Sequence, residues 1–521
     1  MVTARIVLML GLLWSALLLG CARQMVEREL KKIDQAATLL LSRDGPLLKL
    51  HCRDGSMYML DQWQWQKQQK LVEGSGVVFS FNRDILGRGT FQVPYDSIAI
   101  AEINRLVGAP NPVAGFALMA TITGIGAIYC ASNPKACFGS CPTFYAWDGS
   151  TLSLMAEGFS ASIAPSLAAN DIDALYRAVP TGRTLGLLMR NEALETHVVQ
   201  GVRLLAVQRP PSGRVFKTSS GQFWQAGSPI PPYSVMTASG RAENLLQAVD
   251  GKEYFSLADS SYLATHETLD LFFRPGAIRR PGLVIAHRQT LMTTFLLYQT
   301  LAYMGESAGY WLAKLERSGL QTRSSINGPG DLLGTIEVLV ENQTGDWHSA
   351  GEVGETGPIA SDLSLVPFPE ESRRNDGAYH VRLRMAKGYW RIDYAALVDL
   401  VAAVQPLALY ASIAPGPETD GLSRSNRDTV WSEPIITVPG NSYVFSFTLP
   451  DNPEHYELFL DARGYYLEWI RETWLAEENP DMVLLMLQDP EAFLHRMAPL
   501  FKHAEPTMEE TFWRSKYETI Q

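Results

Sequence analysis

Much of what usually marks an active site is scarce in this 521-residue chain. Its nine histidines are scattered, with no HExxH and no i, i+4 pair, so their spacing indicates no zinc site. The five cysteines include no C-x2-C element, which denies a metal or iron–sulfur cluster the grouped soft ligands it needs. No GxGxxG sits on a strand-to-helix turn and no P-loop occurs, so nucleotide binding has no support. Basic residues are outnumbered: 44 Lys and Arg against 55 Asp and Glu give a net charge of -11, which argues against a nucleic-acid partner. No repeat of fixed period emerges, which excludes a solenoid. No cofactor is indicated.

What is present is apolar and aromatic. With 46 % hydrophobic and 19 % charged residues, the chain buries enough apolar surface to offset its ordering entropy, which excludes wholesale disorder. Its length suits two to four domains. The 41 Gly, 30 Pro, 12 Trp, 20 Tyr and 20 Phe point to many short strands joined by turns. The expected fold class is mainly β with helical insertions (α+β): a small curled sheet or barrel, a β-rich domain, an antiparallel β-sandwich and a helical C-terminal tail.

The boundaries follow from local pattern. Residues 46–105 read as a small β domain, opened by a hairpin signal at Asp54 and Gly55 between two strand-like runs. Residues 106–134 form an apolar, glycine-rich segment with no charge between Arg105 and Lys135. Its stretch 113–131 is long enough to span a membrane, but Gly115, Gly124, Gly126 and the prolines at 110 and 112 favour a buried or membrane-apposed segment. Residues 135–285 read as a β-rich domain, in which Asp148 and Gly149 predict a hairpin with a type I′ turn between 144–147 and 151–155. Over 286–323 the period changes: Leu291, Phe295, Tyr298 and Ala302, then Ala308, Trp311, Leu312 and Leu315, recur at helical spacing. Residues 324–331 look like a linker opening the β-sandwich, which runs over 324–462. Residues 463–521 form the helical tail, where Tyr465, Tyr466, Trp469 and Trp474 dock on the sandwich.

The N-terminus carries an address. Residues 1–20 hold one charge, Arg5, ahead of an apolar run from Ile6 to Leu19, the pattern of a removable signal peptide. The run ends in Leu18, Leu19, Gly20 and Cys21, and LLGC at this distance from the start resembles the lipobox of bacterial lipoproteins. In that family the cysteine becomes the mature N-terminus and carries acyl chains on its thiol and amine. The resemblance therefore implies that Cys21 is the lipidation site and that the membrane is a partner through this anchor. It also implies a place in the bacterial cell envelope, with Ala22 after the cysteine compatible with the outer membrane, facing the periplasm. Residues 21–45, where Glu27, Arg28, Glu29, Lys31 and Lys32 mix both signs, then read as a lipidated stalk helix. The stretch from CPTFYAWDG through NEALETHVVQGVRLLAV looks like parts of uncharacterised bacterial envelope proteins, a resemblance that implies a fold and no chemistry. In an oxidising compartment Cys52, Cys130, Cys137 and Cys141 are disulfide candidates, with connectivity open.

Two motifs carry chemistry. GESAG, residues 305–309, matches the G-x-S-x-G of carboxylesterases, in which a serine on a strand-to-helix turn is the nucleophile. That resemblance makes Ser307 the catalytic candidate, with His348, His380 or His455 as base. The preceding LLYQTLAYM, however, fits a helix, and the small residues equally suit a kink or a tight contact. Trp347, Tyr389, Trp390, Tyr394 and Trp431 are the alternative, an aromatic platform for sugar rings with Trp347 and Trp431 as the glycan contacts. Trp390 and Ile392 share a strand face opposite Arg391 and Asp393, which puts Trp390 inside. The leading expectation is a membrane-anchored envelope lipoprotein that binds or scaffolds, its partner an envelope protein or a glycan. The rivals are a serine esterase-type envelope hydrolase and a glycan-binding module.

Overall fold

A computed structural model describes residues 24–31, 48–54, 56–79, 85–108, 141–160, 162, 165, 168–274, 276, 278–305, 307–317, 332–354, 357–369, 372, 377–416, 424–425, 431, 433–470, 474 and 477–514. Strands dominate it, arranged in five sheets, with helices mainly towards the C-terminus.

The first sheet draws its strands only from the N-terminal part of the chain. Their order is Gln24–Lys31, Ile98–Gly108, Leu48–Cys52, Met57–Gln66, Leu71–Phe79 and Ile85–Pro94, all neighbours antiparallel. The hairpin expected at Asp54 forms, and the Asp54 carboxylate accepts the Ser56 N–H at 3.0 Å to close it. Leu48, Leu50, Cys52, Leu60, Val72 and Ile98 fill one face. Within the expected stalk helix, 21–45, Gln24–Lys31 is instead an edge strand, running from Gln24 opposite Gly108 to Lys31 opposite Ala101, and residues 32–45 lie outside the described residues. The strand's charges had read as a solvated helix. They also alternate, however, with Arg28 and Leu30 buried on either side of half-buried Glu29. An open sheet edge and a buried carboxylate facing Arg28 outweigh helix propensity.

The remaining four sheets do not divide into consecutive domains. The second runs Arg424–Ser425, Ser412–Pro415, Ser442–Thr448, Thr184–Arg190, Thr143–Trp147, Leu152–Glu157. The third runs Leu407–Tyr410, Glu195–Gln208, Tyr456–Glu468, Ala169–Ala174, with Ile435–Thr437 also on Glu195–Gln208. The fourth is a closed barrel of Arg214–Thr218, Phe223–Ala226, Trp390–Val404, Pro281–Gln289 and Asp362–Pro367, sealed by a parallel pairing of its first and last members. The fifth runs Gly240–Arg241, Ser234–Thr237, His266–Phe273, Tyr379–Ala386, Ile336–Glu341, Trp347–Val353. Each takes strands from both 135–285 and the residues beyond 324, so the expected β-rich domain and β-sandwich are one interwoven body. Periodicity identifies a strand but not its partner, and here long-range burial chooses it. Glu195–Gln208, buried on both faces, pairs with Tyr456–Glu468 along its whole length.

Helices α1 (Met292–Met304) and α2 (Ser307–Arg317) occupy the expected helical segment, although its first residues complete the strand Pro281–Gln289. Helices α3 (Pro480–Gln488) and α4 (Pro490–Arg514) form the tail. Asn479 and Asp489 cap them by accepting the N–H groups of Met482 (3.3 Å) and Ala492 (3.0 Å). The tail does not open as helix at 463. Tyr465 and Tyr466 lie on the strand ending at Glu468 and point into different cores, the alternation of a strand buried on both sides. The hairpin at Asp148 also forms, as a four-residue loop between Trp147 and Leu152 and not as a type I′ turn. Gly149 takes φ 99, and the Asp148 carboxylate accepts the Ser150 and Thr151 N–H groups at 2.8 Å each, an Asx arrangement that replaces a second residue of positive φ. Residues 109–134 of the apolar segment lie outside the described residues, and no described helix is long and apolar enough to cross a membrane.

Candidate functional site

A half-open cleft of about 160 Å3 lies where the barrel meets the second and third sheets. Its apolar floor comes from Met155, Val249, Ile359 and Leu363, and its polar rim from Arg177, Glu253, Arg288 and Asp393. A β-bulge positions Asp393. Along Trp390–Val404, Ala286 faces Tyr394 while His287 faces Ile392, so Asp393 is the extra residue. The core side accordingly changes from Trp390 and Ile392 to Ala395 and Leu397. Bulges re-aim side chains in this way. Asp393 accepts the Gly251 N–H at 2.9 Å. Burial pushes its carboxyl above the usual range, the charges of Glu253 and Asp250 add to that, and the N–H groups of Gly251 and Asp250 oppose it.

One wall of the cleft is an ion-pair ring. Glu253 takes Arg288 in bidentate fashion (2.5 and 2.7 Å) and Arg391 at 3.3 Å, while Glu509 of α4 takes Arg288 at 2.8 Å and Arg391 at 2.5 Å. Arg288 also donates to the Pro358 carbonyl at 2.7 Å. These pairings fasten α4 to the barrel; of the other charged residues lining the cleft, Asp393 is buried and Arg177 is exposed.

A second cluster is wholly buried between the first and third sheets. Glu102 lies 3.6 Å from Arg28 and 3.0 Å from His51, and also pairs with Lys49. Arg28 donates to the Glu468 carbonyl, and the Lys49 ammonium sits 4.4 Å above the Trp469 ring. Asn104 bridges the sheets: in its satisfied orientation it donates to Glu102 at 3.1 Å and accepts from Lys49 and Thr196 at 3.3 and 3.0 Å. Burial raises the Glu102 carboxyl, but Arg28, Lys49 and His51 together hold it well below the usual range. Burial is also the main reason His51 is lowered, against the pull of Glu102. Sequence reading missed this cluster because its members are charged. Its trace is the alternation of Lys49 and His51 with Leu48, Leu50 and Cys52, a strand covered on both faces.

The sequence candidates are not brought together. Ser307 opens α2 and donates to the Met304 carbonyl at 2.5 Å, so it follows a helix and not the strand a nucleophile elbow requires. Its neighbours act as a break and a close contact: Gly305 takes φ 57, and a Cβ there would lie 2.6 Å from Glu478, while one on Gly309 would lie 2.5 Å from Ile470. The histidines are occupied elsewhere, His348 with Asn342 (2.7 Å), His380 with Glu341 (2.8 Å) and His455 near Glu454 (4.0 Å).

The Trp347 and Trp431 platform is also corrected. Trp431 is buried and stacks on Phe445, because its neighbours complete a core. Trp347 stands edge-on to His380 with the Arg382 guanidinium 4.2 Å over one face of its ring. Tyr389 and Trp390 are buried, Trp390 inside as expected. Among the described residues no disulfide is formed: Cys52 is a buried free thiol and Cys141 is buried in a core with Phe144 and Tyr466. Cys130, Cys137 and the lipidation candidate Cys21 lie outside the described residues. No group of His, Cys, Asp or Glu that could hold a metal ion is found among the described residues. No known family model matches the chain, and comparison with curated proteins finds no match.

Proposed function

We propose that this protein is a lipid-anchored binding or scaffolding protein of the bacterial cell envelope, held close against a bilayer through Cys21. The observation that carries the reading is a register. Gln24, three residues after Cys21, is paired with Gly108, and the apolar stretch 113–131 begins five residues beyond Gly108. The described residues nearest in sequence to the anchor and to the apolar stretch, Gln24 and Gly108, therefore sit side by side at one corner of the first sheet. Three extended residues reach only about 10 Å, which gives an acylated Cys21 no long tether. The buried cluster around Glu102 ties the same strand to the third sheet, so the anchor is joined to the whole body. The half-open cleft supports a binding role, since its rim presents charges above an apolar floor. An outer-membrane address facing the periplasm follows the same lipobox reading.

The experiment is metabolic labelling with radioactive palmitate in a bacterial host, followed by membrane fractionation. Label on the parent chain that is lost in Cys21→Ala is the expected result. A parent chain as unlabelled as Cys21→Ala overturns the anchor.

A further inference from the structure

We propose that the cleft beside Asp393 binds a small zwitterion of the amino-acid class, a free α-amino acid. This names a ligand for the binding role of the preceding reading, though the cleft's chemistry does not depend on how the chain is anchored.

The argument rests on which charges are committed. Arg288 and Glu253 are taken up by each other, by Arg391 and Glu509 and by the Pro358 carbonyl, so they shape the wall. Asp393 is buried in the cleft lining beside the bulge, with its carboxylate facing the Gly251 and Asp250 N–H groups. Arg177, an exposed residue on the same rim, gives one N–H to the Leu154 carbonyl at 2.7 Å and keeps the rest of its guanidinium towards solvent. A simple anion suits Arg177 but is repelled by Asp393, and a simple cation meets the reverse. A molecule carrying an ammonium and a carboxylate a few ångströms apart satisfies both through charge-assisted hydrogen bonds. Size agrees: about 160 Å3 matches the cavity that accepts one benzene, roughly six heavy atoms, which is the size of alanine. Met155, Val249, Ile359 and Leu363 then receive a short apolar side chain.

The test is isothermal titration calorimetry on the detergent-solubilised full chain with four probes: L-alanine, N-acetyl-L-alanine, L-alanine amide and L-alanyl-L-alanine. L-alanine is expected to bind, and the dipeptide, whose two charges lie a residue further apart, to bind more weakly. Each blocked derivative is expected to bind about tenfold or more weakly, as is L-alanine on Asp393→Asn and on Arg177→Ala. Arg177 is exposed, so its variant keeps the test decisive if Asp393→Asn does not fold. The proposal is overturned if L-alanine does not bind up to about 10 mM, if the blocked derivatives or the dipeptide bind as well as L-alanine, or if Arg177→Ala binds as the parent does. Palmitate labelling is untouched by these outcomes, so failure of the cleft and failure of the anchor are read separately.

Discussion

Replacing Glu102 with Gln preserves shape and removes one charge from a site where Arg28, Lys49 and Glu102 are each 0 % exposed. At 3.6 Å from Arg28 and an effective dielectric constant near 20, the gross attraction is about 5 kcal/mol, with Lys49 contributing a term of the same order. Desolvation opposes this by several kcal/mol per ion, so the intact cluster contributes little net stability. The variant, however, leaves Arg28 and Lys49 buried without their carboxylate. The expected loss is that of breaking a buried pair, about 3–5 kcal/mol. It should also be local, because Arg28, Lys49 and Glu102 belong to the first sheet while Trp469 and Glu468 belong to the body. Guanidinium unfolding followed by tryptophan fluorescence gives the size of the loss, and amide exchange its location. Exchange should accelerate over 48–108 and change little in the barrel. Joint replacement by apolar residues, Arg28→Met, Lys49→Met and Glu102→Leu, should recover most of the loss. A loss below about 1 kcal/mol for Glu102→Gln, or acceleration spread evenly over all five sheets, would refute the reasoning.

His51 and Glu102 are both held below their ordinary values of 6.5 and 4.5, so the folded chain binds fewer protons than the unfolded one and their contribution is lost on acidification. The denaturation midpoint should fall as pH drops below 6.5 and fall more steeply below 4.5; a midpoint unchanged between pH 7 and pH 5 counts against the assigned His51 environment. Gly388 takes φ 74, and a Cβ there would stand 2.5 Å from the Ala258 backbone nitrogen. Gly388→Ala should therefore cost about 2–4 kcal/mol in thermal unfolding, and a cost under about 0.5 kcal/mol contradicts the packing. Burial pushes the Cys52 thiol up to about 11, so iodoacetamide at pH 8 should label it only after unfolding. Equal native and unfolded rates at that position would place the thiol outside the core.

Local pattern made much of this protein legible. The hairpins at Asp54 and Asp148, the strands from Met57 to Pro94 and the helices from Met292 to Arg317 follow from alternation, turn residues and helical spacing, because each is decided within a few tens of residues. Partnership between distant segments was not legible. Nothing near His197 says that its neighbour in the third sheet is Tyr466, and so the domain boundaries dissolved. Gln24–Lys31 and the last six residues of Tyr456–Glu468, 463–468, are strand where helix is expected for a related reason: charged or aromatic residues of mixed pattern take helix or strand according to what covers them. The cleft was invisible for a third. Asp393 shares a strand with Trp390, but only the bulge opposite Ala286 and His287 turns it towards the loop at Gly251 and into the cleft lining.

The interleaving of strands also fixes an order of folding. The first sheet can assemble once its last strand, ending at Gly108, has been made. Glu195–Gln208, buried on both faces, must wait for Tyr456–Glu468, roughly 250 residues later. At 5–20 residues per second that interval is roughly 12–50 s, during which a long sticky strand has no mate. A chain built this way suits a route on which it is kept unfolded until its C-terminus arrives, and a protein truncated before Tyr456 should collapse onto other chains instead of folding into a smaller version of itself.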